Sequence, residues 1–483
     1  MPLEPLLPAT AIAANLAELK AAYSANEATI EANRCLFCFD APCIMACPTG
    51  IDIPSFIKKI ANGTPTAAAR TILTANILGA SCARACPTEV LCEGACVLDD
   101  REENPIKIGR LQRYATDYVT ERNISVLTKP TKQSGKKIAV IGAGPAGLGC
   151  AAELAQLGHQ VVIFEKQALA GGLNTYGIAY YKMKPELSLH EVELVKSLGV
   201  EIRCNVDIGK DIAGSDLLKD FDAVFIGIGL GDAQRMRVPG EDLPEVRDAL
   251  DFIEEIRTKP LDQVSVGRNV AVIGCGNTAI DAVTQSLRLG ADRSDIVYRR
   301  GEDDMSAYSF EYDLAKNDGA QFLFHSAPVE ILAEDGHVVG LKLVKTRFAA
   351  DGKLEVIPGS EFIEACDLIL KAVGQEKQGA RLKSLFPDLA IDGKGVVVRD
   401  PLTGATNVAK LFAGGDCANG GREVVNAVGE GKKAAHGIHA ALTAEDAGAL
   451  VQPSRLGVPG GPPTGSGLNK PIRVHELEEV MHP

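Results

Sequence analysis

Two segments of this chain repeat one pattern, a short apolar run, a glycine-rich turn and a helical stretch. Nothing else in the sequence restricts the fold as strongly. The units span Lys137–Leu157 and Asn269–Leu287. In the first, Ile138-Ala139-Val140-Ile141 runs into Gly142-Ala143-Gly144-Pro145-Ala146-Gly147, a G-x-G-x-x-G turn. Glycines there permit a tight turn and let backbone N–H groups approach a pyrophosphate at a helix N-terminus. The next apolar run, Val161–Phe164, ends in Glu165, 18 residues after Gly147. A carboxylate at that spacing binds ribose hydroxyls. The turn alone is weak evidence; strand, turn, helix, second strand and terminal acid together specify a dinucleotide site.

The second unit reads Val270-Ala271-Val272-Ile273-Gly274-Cys275-Gly276-Asn277-Thr278-Ala279. Ala279 replaces the third glycine and still allows close helix packing. Asp295-Ile296-Val297-Tyr298 is the following strand, and Arg299 and Arg300 come after it. Arginine where NAD sites carry an acid suits the 2′-phosphate of NADP. NADPH is therefore expected, with NADH the alternative. Farther on, Leu411-Phe412-Ala413-Gly414-Gly415-Asp416 precedes a helix containing Gly429 and Gly431. This resembles the second flavin motif of two-dinucleotide-domain flavoproteins, whose Asp binds the ribityl chain. The pairing favours FAD for the first site, with Lys166, Glu423 and Val424 as further expected contacts.

Thirteen cysteines need an explanation, and eight of them lie between Cys35 and Cys96. The N-terminus, Met1–Lys20, has no basic n-region. A cytoplasmic location is the expectation, and a reducing compartment does not sustain a disulfide framework. The array is Cys35-x2-Cys38-x4-Cys43-x3-Cys47-Pro48, then Cys82-x3-Cys86-Pro87-x4-Cys92-x3-Cys96. Closely spaced thiolates ending in Cys-Pro are the ferredoxin-like manner of holding iron–sulfur clusters. Zinc is the rival, but it usually takes paired C-x2-C knuckles or Cys with His. Here there is one C-x2-C, and no His precedes His159. Cys150, Cys204, Cys275, Cys366 and Cys417 sit in apolar segments and read as small buried hydrophobes. A net charge of −13 opposes nucleic-acid binding. No apolar run approaches the roughly 18 residues of a membrane span.

With these motifs in place, the chain resembles the iron–sulfur flavoproteins of the glutamate synthase small-subunit family. It is more similar still to the N-terminal half of dihydropyrimidine dehydrogenase and its bacterial flavin-carrying subunit. The likeness covers about residues 25–445. It rests on Cys35-Leu36-Phe37-Cys38-Phe39-Asp40-Ala41-Pro42-Cys43, on Cys47-Pro48-Thr49-Gly50-Ile51-Asp52-Ile53-Pro54-Ser55-Phe56-Ile57, and on Pro105-Ile106-Lys107-Ile108-Gly109-Arg110-Leu111-Gln112. The resemblance implies two 4Fe–4S clusters. Cys35, Cys38, Cys43 and Cys96 would hold one. Cys47, Cys86, Cys92 and Gln112 would hold the other, leaving Cys82 a non-ligand. It also implies flavin contacts from Gly171, Gly172, Leu173 and the segment Tyr176–Lys184, with Lys182 where the family often has Arg. Ile208 would touch the adenine. Ala372, Val373 and Gly374 would lie near the nicotinamide. Ser306 stands where mammalian relatives place a further Arg, which weakens the case for NADPH.

The expected fold is an α-helical iron–sulfur domain followed by two α/β Rossmann-like dinucleotide-binding domains, an FAD domain with an inserted NAD(P) domain. The double-cluster domain is expected over 1–125. The FAD domain is expected in two stretches, 136–265 and 376–445, with the NAD(P) domain over 266–375 between them. An extended tail is expected over 446–483. The expected function is that of the electron-input subunit of dihydropyrimidine dehydrogenase. It would oxidise NAD(P)H and feed a partner that carries FMN and 4Fe–4S clusters and reduces uracil or thymine. No side chain is expected to act as acid or base. Only about 40 residues follow Glu445, far fewer than the roughly 250 of a catalytic barrel, so a hetero-oligomer is expected. The alternatives are a glutamate synthase small subunit, a stand-alone NAD(P)H:acceptor oxidoreductase, and a non-enzymatic redox sensor or cluster scaffold.

Overall fold

The computed structural model describes residues 3–99 and 104–443. The tail expected over 446–483 lies outside them. Short helices come first: α1 (Ala9–Asn15), α2 (Ala25–Ala32), α3 (Pro42–Met45), α4 (Ile53–Ala61), α5 (Pro65–Ala75), α6 (Gly79–Ala85) and α7 (Ile108–Glu121). Local chemistry starts several of them. Ser24 and Glu27 form a capping box on α2. Asp52 accepts from Ser55 N at 3.2 Å to cap α4, and Pro65 opens α5. In α4, Ile53, Phe56, Ile57 and Ile60 are buried, an i, i+3, i+4, i+7 stripe. Each such side chain contributes about 1.5–3 kcal/mol by leaving water.

The α/β region begins with β1 (Lys137–Ile141), α8 (Pro145–Gln156), β2 (Gln160–Phe164), α9 (Leu173–Tyr176), α10 (Pro185–Ser197), β3 (Glu201–Arg203), α11 (Gly214–Asp220) and β4 (Ala223–Ile226). Then come β5 (Val246–Asp248), α12 (Ala249–Thr258), β6 (Asn269–Ile273), α13 (Asn277–Arg288), β7 (Arg293–Val297), α14 (Ser309–Asn317) and β8 (Gln321–Leu323). An antiparallel group follows: β9 (Ser326–Glu334), β10 (His337–Phe348), β11 (Leu354–Val356) and β12 (Phe362–Glu364). The described chain closes with β13 (Leu368–Lys371), α15 (Gly379–Leu385), β14 (Leu411–Ala413), α16 (Asp416–Asn419) and α17 (Val424–Thr443).

Two compact units result. Among the described residues, the larger comprises those of 20–175, 186–230 and 377–443. Its parallel sheet has the order β14-β4-β1-β2-β3, with Ile138 paired to Val161 on one side and Ala223 on the other. Both faces of β1 are buried, so it reads as a continuous apolar run rather than an alternating one. One hydrophobic core joins Phe56, Ile72 and Leu111 of the N-terminal helices to Ile138, Phe225 and Val428. The cysteine-bearing helices thus share a core with the first dinucleotide fold.

The smaller unit comprises 1–19, 176–185 and 231–376. Its parallel sheet has the order β5-β13-β6-β7-β8. Packing explains the early and middle additions. Ile12 and Leu16 of the N-terminal segment, and Ala179 and Tyr181, are buried with Phe252, Val272 and Ile280. Arg257 Nη1 donates to the carbonyls of Ile178 and Met183 at 2.6 and 2.7 Å.

Candidate functional site

In the larger unit, β1 ends at Gly142, whose φ of +95° only glycine adopts readily. A β-carbon there would lie 2.6 Å from Gly227 O. Gly144 caps α8 without a side chain, and Pro145 lacks an N–H to satisfy. The first-turn amides therefore face an open end suited to a pyrophosphate. Gly147 sits where a β-carbon would lie 2.0 Å from Gly142 O. Glu165, 6% exposed, accepts from Ala143 N at 2.7 Å through one oxygen and from Gln167 N at 2.8 Å through the other. Gly171 N donates to Ala143 O at 2.9 Å, and Gly172 packs on Gly144. Lys166 and Leu173 are exposed beside this turn, and Ile208 is buried in a bridge to Ile212.

The second motif meets the first. A β-carbon on Gly415 would lie 2.7 Å from Ala146 Cβ, and one on Gly431 would lie 2.1 Å from Ala146 O. The backbone of α17 therefore crosses α8 in close contact. Glu430 accepts from Gly415 N at 2.8 Å and holds the turn before Asp416. Burial raises the Asp416 carboxyl, and an N–H from Arg422 at 3.1 Å opposes that rise. Glu423 and Val424 are half-buried at the start of α17.

In the smaller unit, Gly274 has φ +125°, and a β-carbon there would lie 2.3 Å from Ala372 O. Gly276 caps α13. The segment 306–308 folds over this turn. Ala307 N donates to Cys275 O at 3.2 Å, and Tyr308 N donates to Asn277 Oδ1 at 3.1 Å. Thr278 lies in the first turn of α13. Arg299 and Arg300 are exposed beyond β7. Their carbonyls are tied down by Thr346 Oγ1 at 2.6 Å and His325 N at 3.0 Å, a pair of anchors that no sequence motif announced. Val373 and Gly374 follow β13 beside this turn. Lys182, expected in a flavin-contacting segment, belongs to this unit and is held by two carboxylates. Its ammonium pairs with Asp281 at 2.8 Å and Glu311 at 2.6 Å. Burial by itself would lower its pKa, but the two carboxylates outweigh burial and raise it well above the usual lysine range, which keeps it charged.

The cysteines gather around two cavities of the larger unit. Cys35, Cys38, Cys43 and Cys96 line one. Cys47, Cys82, Cys86, Cys92 and Gln112 line another. Ile53 borders both, and Val425, the second residue of α17, borders the latter. Sequence reasoning missed both residues; Val425 is adjacent to an expected flavin contact. Among the described residues no three Cys, His, Asp or Glu side chains converge on a single ion. A zinc site would draw four ligands to about 2.3 Å from one point. Thiols spread around a larger void fit a polynuclear cluster better. Gln112 Nε2 donates to Gly79 O at 2.6 Å, and the residue lines the second cavity. Cys82 Sγ accepts from Asn76 Nδ2 at 3.2 Å. Burial lifts the Cys43 thiol to about 12, and the Cys92 thiol well above the usual value. A hydrogen bond with Cys82, together with burial, lifts the Cys86 thiol likewise. Cluster binding must therefore displace protons.

Residues 136–431 match the family described as pyridine nucleotide-disulphide oxidoreductase. The chain belongs to that family. Residues 12–124 match the family described as dihydropyrimidine dehydrogenase domain II, 4Fe-4S cluster. This oxidoreductase is therefore an NAD(P)H-dependent iron–sulfur flavoprotein. It is similar to the glutamate synthase [NADPH] small chain of Halomonas elongata, 36% identical over 89% of this chain and 94% of that one. It is also similar to the same-named chain of Escherichia coli, 34% identical over 87% and 93%. Among solved structures it is similar in fold to Mycobacterium tuberculosis FprA in complex with NADPH, with TM-score 0.51 and 20% identity over 63% of this chain and 84% of that one. The expected likeness to dihydropyrimidine dehydrogenase extends to the family named for its cluster domain. Both of these relatives are matched over more than nine-tenths of their own length, and both are glutamate synthase small chains. They do not carry the finer assignment to a pyrimidine-reducing enzyme. No described helix is long and apolar enough to cross a membrane.

Proposed function

We propose that this oxidoreductase is an electron-input subunit of the glutamate synthase kind. It would oxidise NADPH at FAD and deliver electrons through two 4Fe–4S clusters to a larger, glutamate-forming partner. The supporting observation is an order of neighbours within one unit. Helix α17 opens with the expected flavin contact Val424, its next residue Val425 borders the second thiol cavity, and Ile53 is common to that cavity and the first. A flavin site and two cluster sites in that sequence make a relay. Bound there, FAD accepts a hydride and gives up single electrons, which iron–sulfur centres carry one at a time.

The chain's own residues bind and orient. Gly142, Gly144 and Gly147 bring backbone N–H groups to the FAD pyrophosphate, Glu165 fixes the turn and faces the ribose, and Asp416 faces the ribityl chain. Gly274 and Gly276 do the same for the nicotinamide dinucleotide, with Arg299 and Arg300 on the 2′-phosphate. Cys35, Cys38, Cys43 and Cys96 hold one cluster. Cys47, Cys86, Cys92 and Gln112 hold the other.

A second reading, a pyrimidine-reducing partner, draws support from two observations. The N-terminal family is named for dihydropyrimidine dehydrogenase. The Gln112 amide also borders the second cavity, as resemblance to that enzyme implies. Reconstitution decides between them. The isolated chain should pass electrons from NADPH to an artificial dye. Glutamate formation should appear only on adding a glutamate synthase large chain. Uracil reduction with an FMN-bearing pyrimidine partner, and no glutamate formation, would move the assignment to the second reading. Failure to oxidise NADPH with any acceptor would remove both.

A further inference from the structure

Helix α6 bears Cys82, is capped at its C-terminal end by Cys86, and begins with Gly79, whose carbonyl holds Gln112. The Cys82, Cys86 and Gln112 side chains border the second thiol cavity. This helix has no cap of its own, because Leu78 at its N-cap position supplies no hydrogen-bonding side chain. The missing cap arrives from Glu191 on α10, more than a hundred residues away. Glu191 is 1% exposed. One carboxylate oxygen accepts from Ala80 N at 2.8 Å and from Ser81 N at 3.0 Å. The other accepts from the Ser81 hydroxyl. Ser81 is itself fully buried. An amide pair and a hydroxyl on one sequestered carboxylate constitute a built contact, because an unmet buried carboxylate costs several kcal/mol.

Glu191 plays no part in binding nucleotide or cluster as described above. Its position says what it does. The first turn of α6 sets where Gly79 O lies, and so where the Gln112 amide points. Its last turn, where Cys86 N donates to Cys82 O at 3.1 Å, sets where the thiols lie. The countercharge that acts on Glu191 is Arg84 on the same helix, which itself pairs with Asp117 at 2.8 Å.

We propose that Glu191 is a positioning residue for the second thiol cavity and that its charge lowers the reduction potential of the cluster held there. This rests on the reading that the second cavity holds a 4Fe–4S cluster. A fixed negative charge in a poorly solvated setting disfavours adding an electron nearby. Burial raises the Glu191 carboxyl to about 7, against the pull of its three donors and Arg84, so the charge is fully developed in mild alkali.

The test is an EPR-monitored redox titration at about pH 8.5, above that value, with iron and flavin assays, on full-length wild type, Glu191→Gln and Glu191→Ala. Glu191→Gln keeps an oxygen for the Ala80 and Ser81 amides and removes the charge. One of the two cluster signals should then shift positive, on the order of a tenfold change in its reduced-to-oxidised ratio at fixed poise, or about 59 mV for one electron. The other cluster and the flavin should be unmoved. Glu191→Ala should lose up to half of the iron and keep FAD; if it does not fold, the Gln variant still decides. Unchanged potentials and iron in a protein with two clusters would overturn this inference alone. Wild type holding only about four irons per chain would overturn the two-cluster reading and this inference with it.

Discussion

The carboxylate of Glu165 accepts the amide of Ala143 at 2.7 Å, inside the glycine turn that it follows in the neighbouring strand. A residue expected to hold ribose thus also locks the turn that holds the pyrophosphate. Glu165→Ala should weaken FAD binding by about 1.5–3 kcal/mol, the scale of hydrogen bonds to a charged group. That is roughly ten- to a hundredfold. Flavin retained after dialysis at falling protein concentration measures it. Retention equal to wild type would show that the turn is held without the carboxylate.

The crossing of α17 over α8 leaves no room at Gly431, where a β-carbon would lie 2.1 Å from Ala146 O. Gly431→Ala should force the two helices apart and cost about 1–3 kcal/mol. Lys433→Ala, on the exposed face of the same helix, should stay within about 0.5 kcal/mol. Thermal unfolding of both variants checks the contrast. Equal midpoints would mean that the crossing relaxes at no cost.

Arg299 and Arg300 follow β7 with exposed side chains and anchored carbonyls. Replacing both with Gln should remove about 1–3 kcal/mol of preference for NADPH over NADH in flavin reduction. Stopped-flow reduction with each nucleotide measures the ratio. A wild-type protein already indifferent to the 2′-phosphate would place these arginines in a solvent role.

Five candidate ligands border the second thiol cavity, Cys47, Cys82, Cys86, Cys92 and Gln112, one more than a four-ligand cluster needs. With Gln112 as a ligand, Cys82→Ser should retain all iron, while Cys47→Ser should lose the cluster. Neither change should abolish electron transfer from NADPH to a dye that accepts directly from flavin. Iron content after anaerobic purification decides. Loss of about half of the iron in Cys82→Ser would make Cys82 the ligand and Gln112 a neighbour.

His159 sits in a buried chain, with Ser134 Oγ at 2.7 Å from Nδ1 and His439 Nδ1 at 2.8 Å from Nε2. Burial and the neighbouring His439 lower its pKa from 6.5 to about 4. Between those values the unfolded chain binds a proton that the folded chain refuses, so stability is present above about 6.5 and falls as the pH drops toward 4. The loss should be about 1–2 kcal/mol after allowance for partial solvent screening. Urea unfolding at pH 7 and pH 5 should show it in wild type and a smaller loss in His159→Gln. Identical losses would place the acid sensitivity elsewhere.

Much of this protein is legible in its sequence. The glycine turns can be read because their requirements are local: Gly142 and Gly274 need positive φ, and the residues that follow must bare a helix end. Helices α4 and α5 can be read because apolar periodicity and Asp and Pro start signals are written within a dozen residues. The strand, turn and acid order of the first unit sets Glu165 beside its glycines, since a βαβ unit brings the end of β2 next to the end of β1.

What the sequence by itself determined, then, is a set of local devices: two nucleotide turns, a flavin motif, an array of thiols and the helices between them. The tertiary structure alone decided how they combine. It placed residues 1–19 and 176–185 with the second nucleotide fold, because Ile12, Leu16 and Tyr181 find their apolar partners there. It brought Cys96 beside Cys35 and Cys47 beside Cys86 around two cavities, a grouping that spacing alone did not supply and only the family resemblance implied. It bound Lys182 between Asp281 and Glu311, and gave α6 a cap from Glu191. Each of these depends on contacts between residues tens to hundreds of positions apart. Such contacts follow from how packed faces and buried charges find partners in three dimensions, and no local periodicity or spacing records that choice.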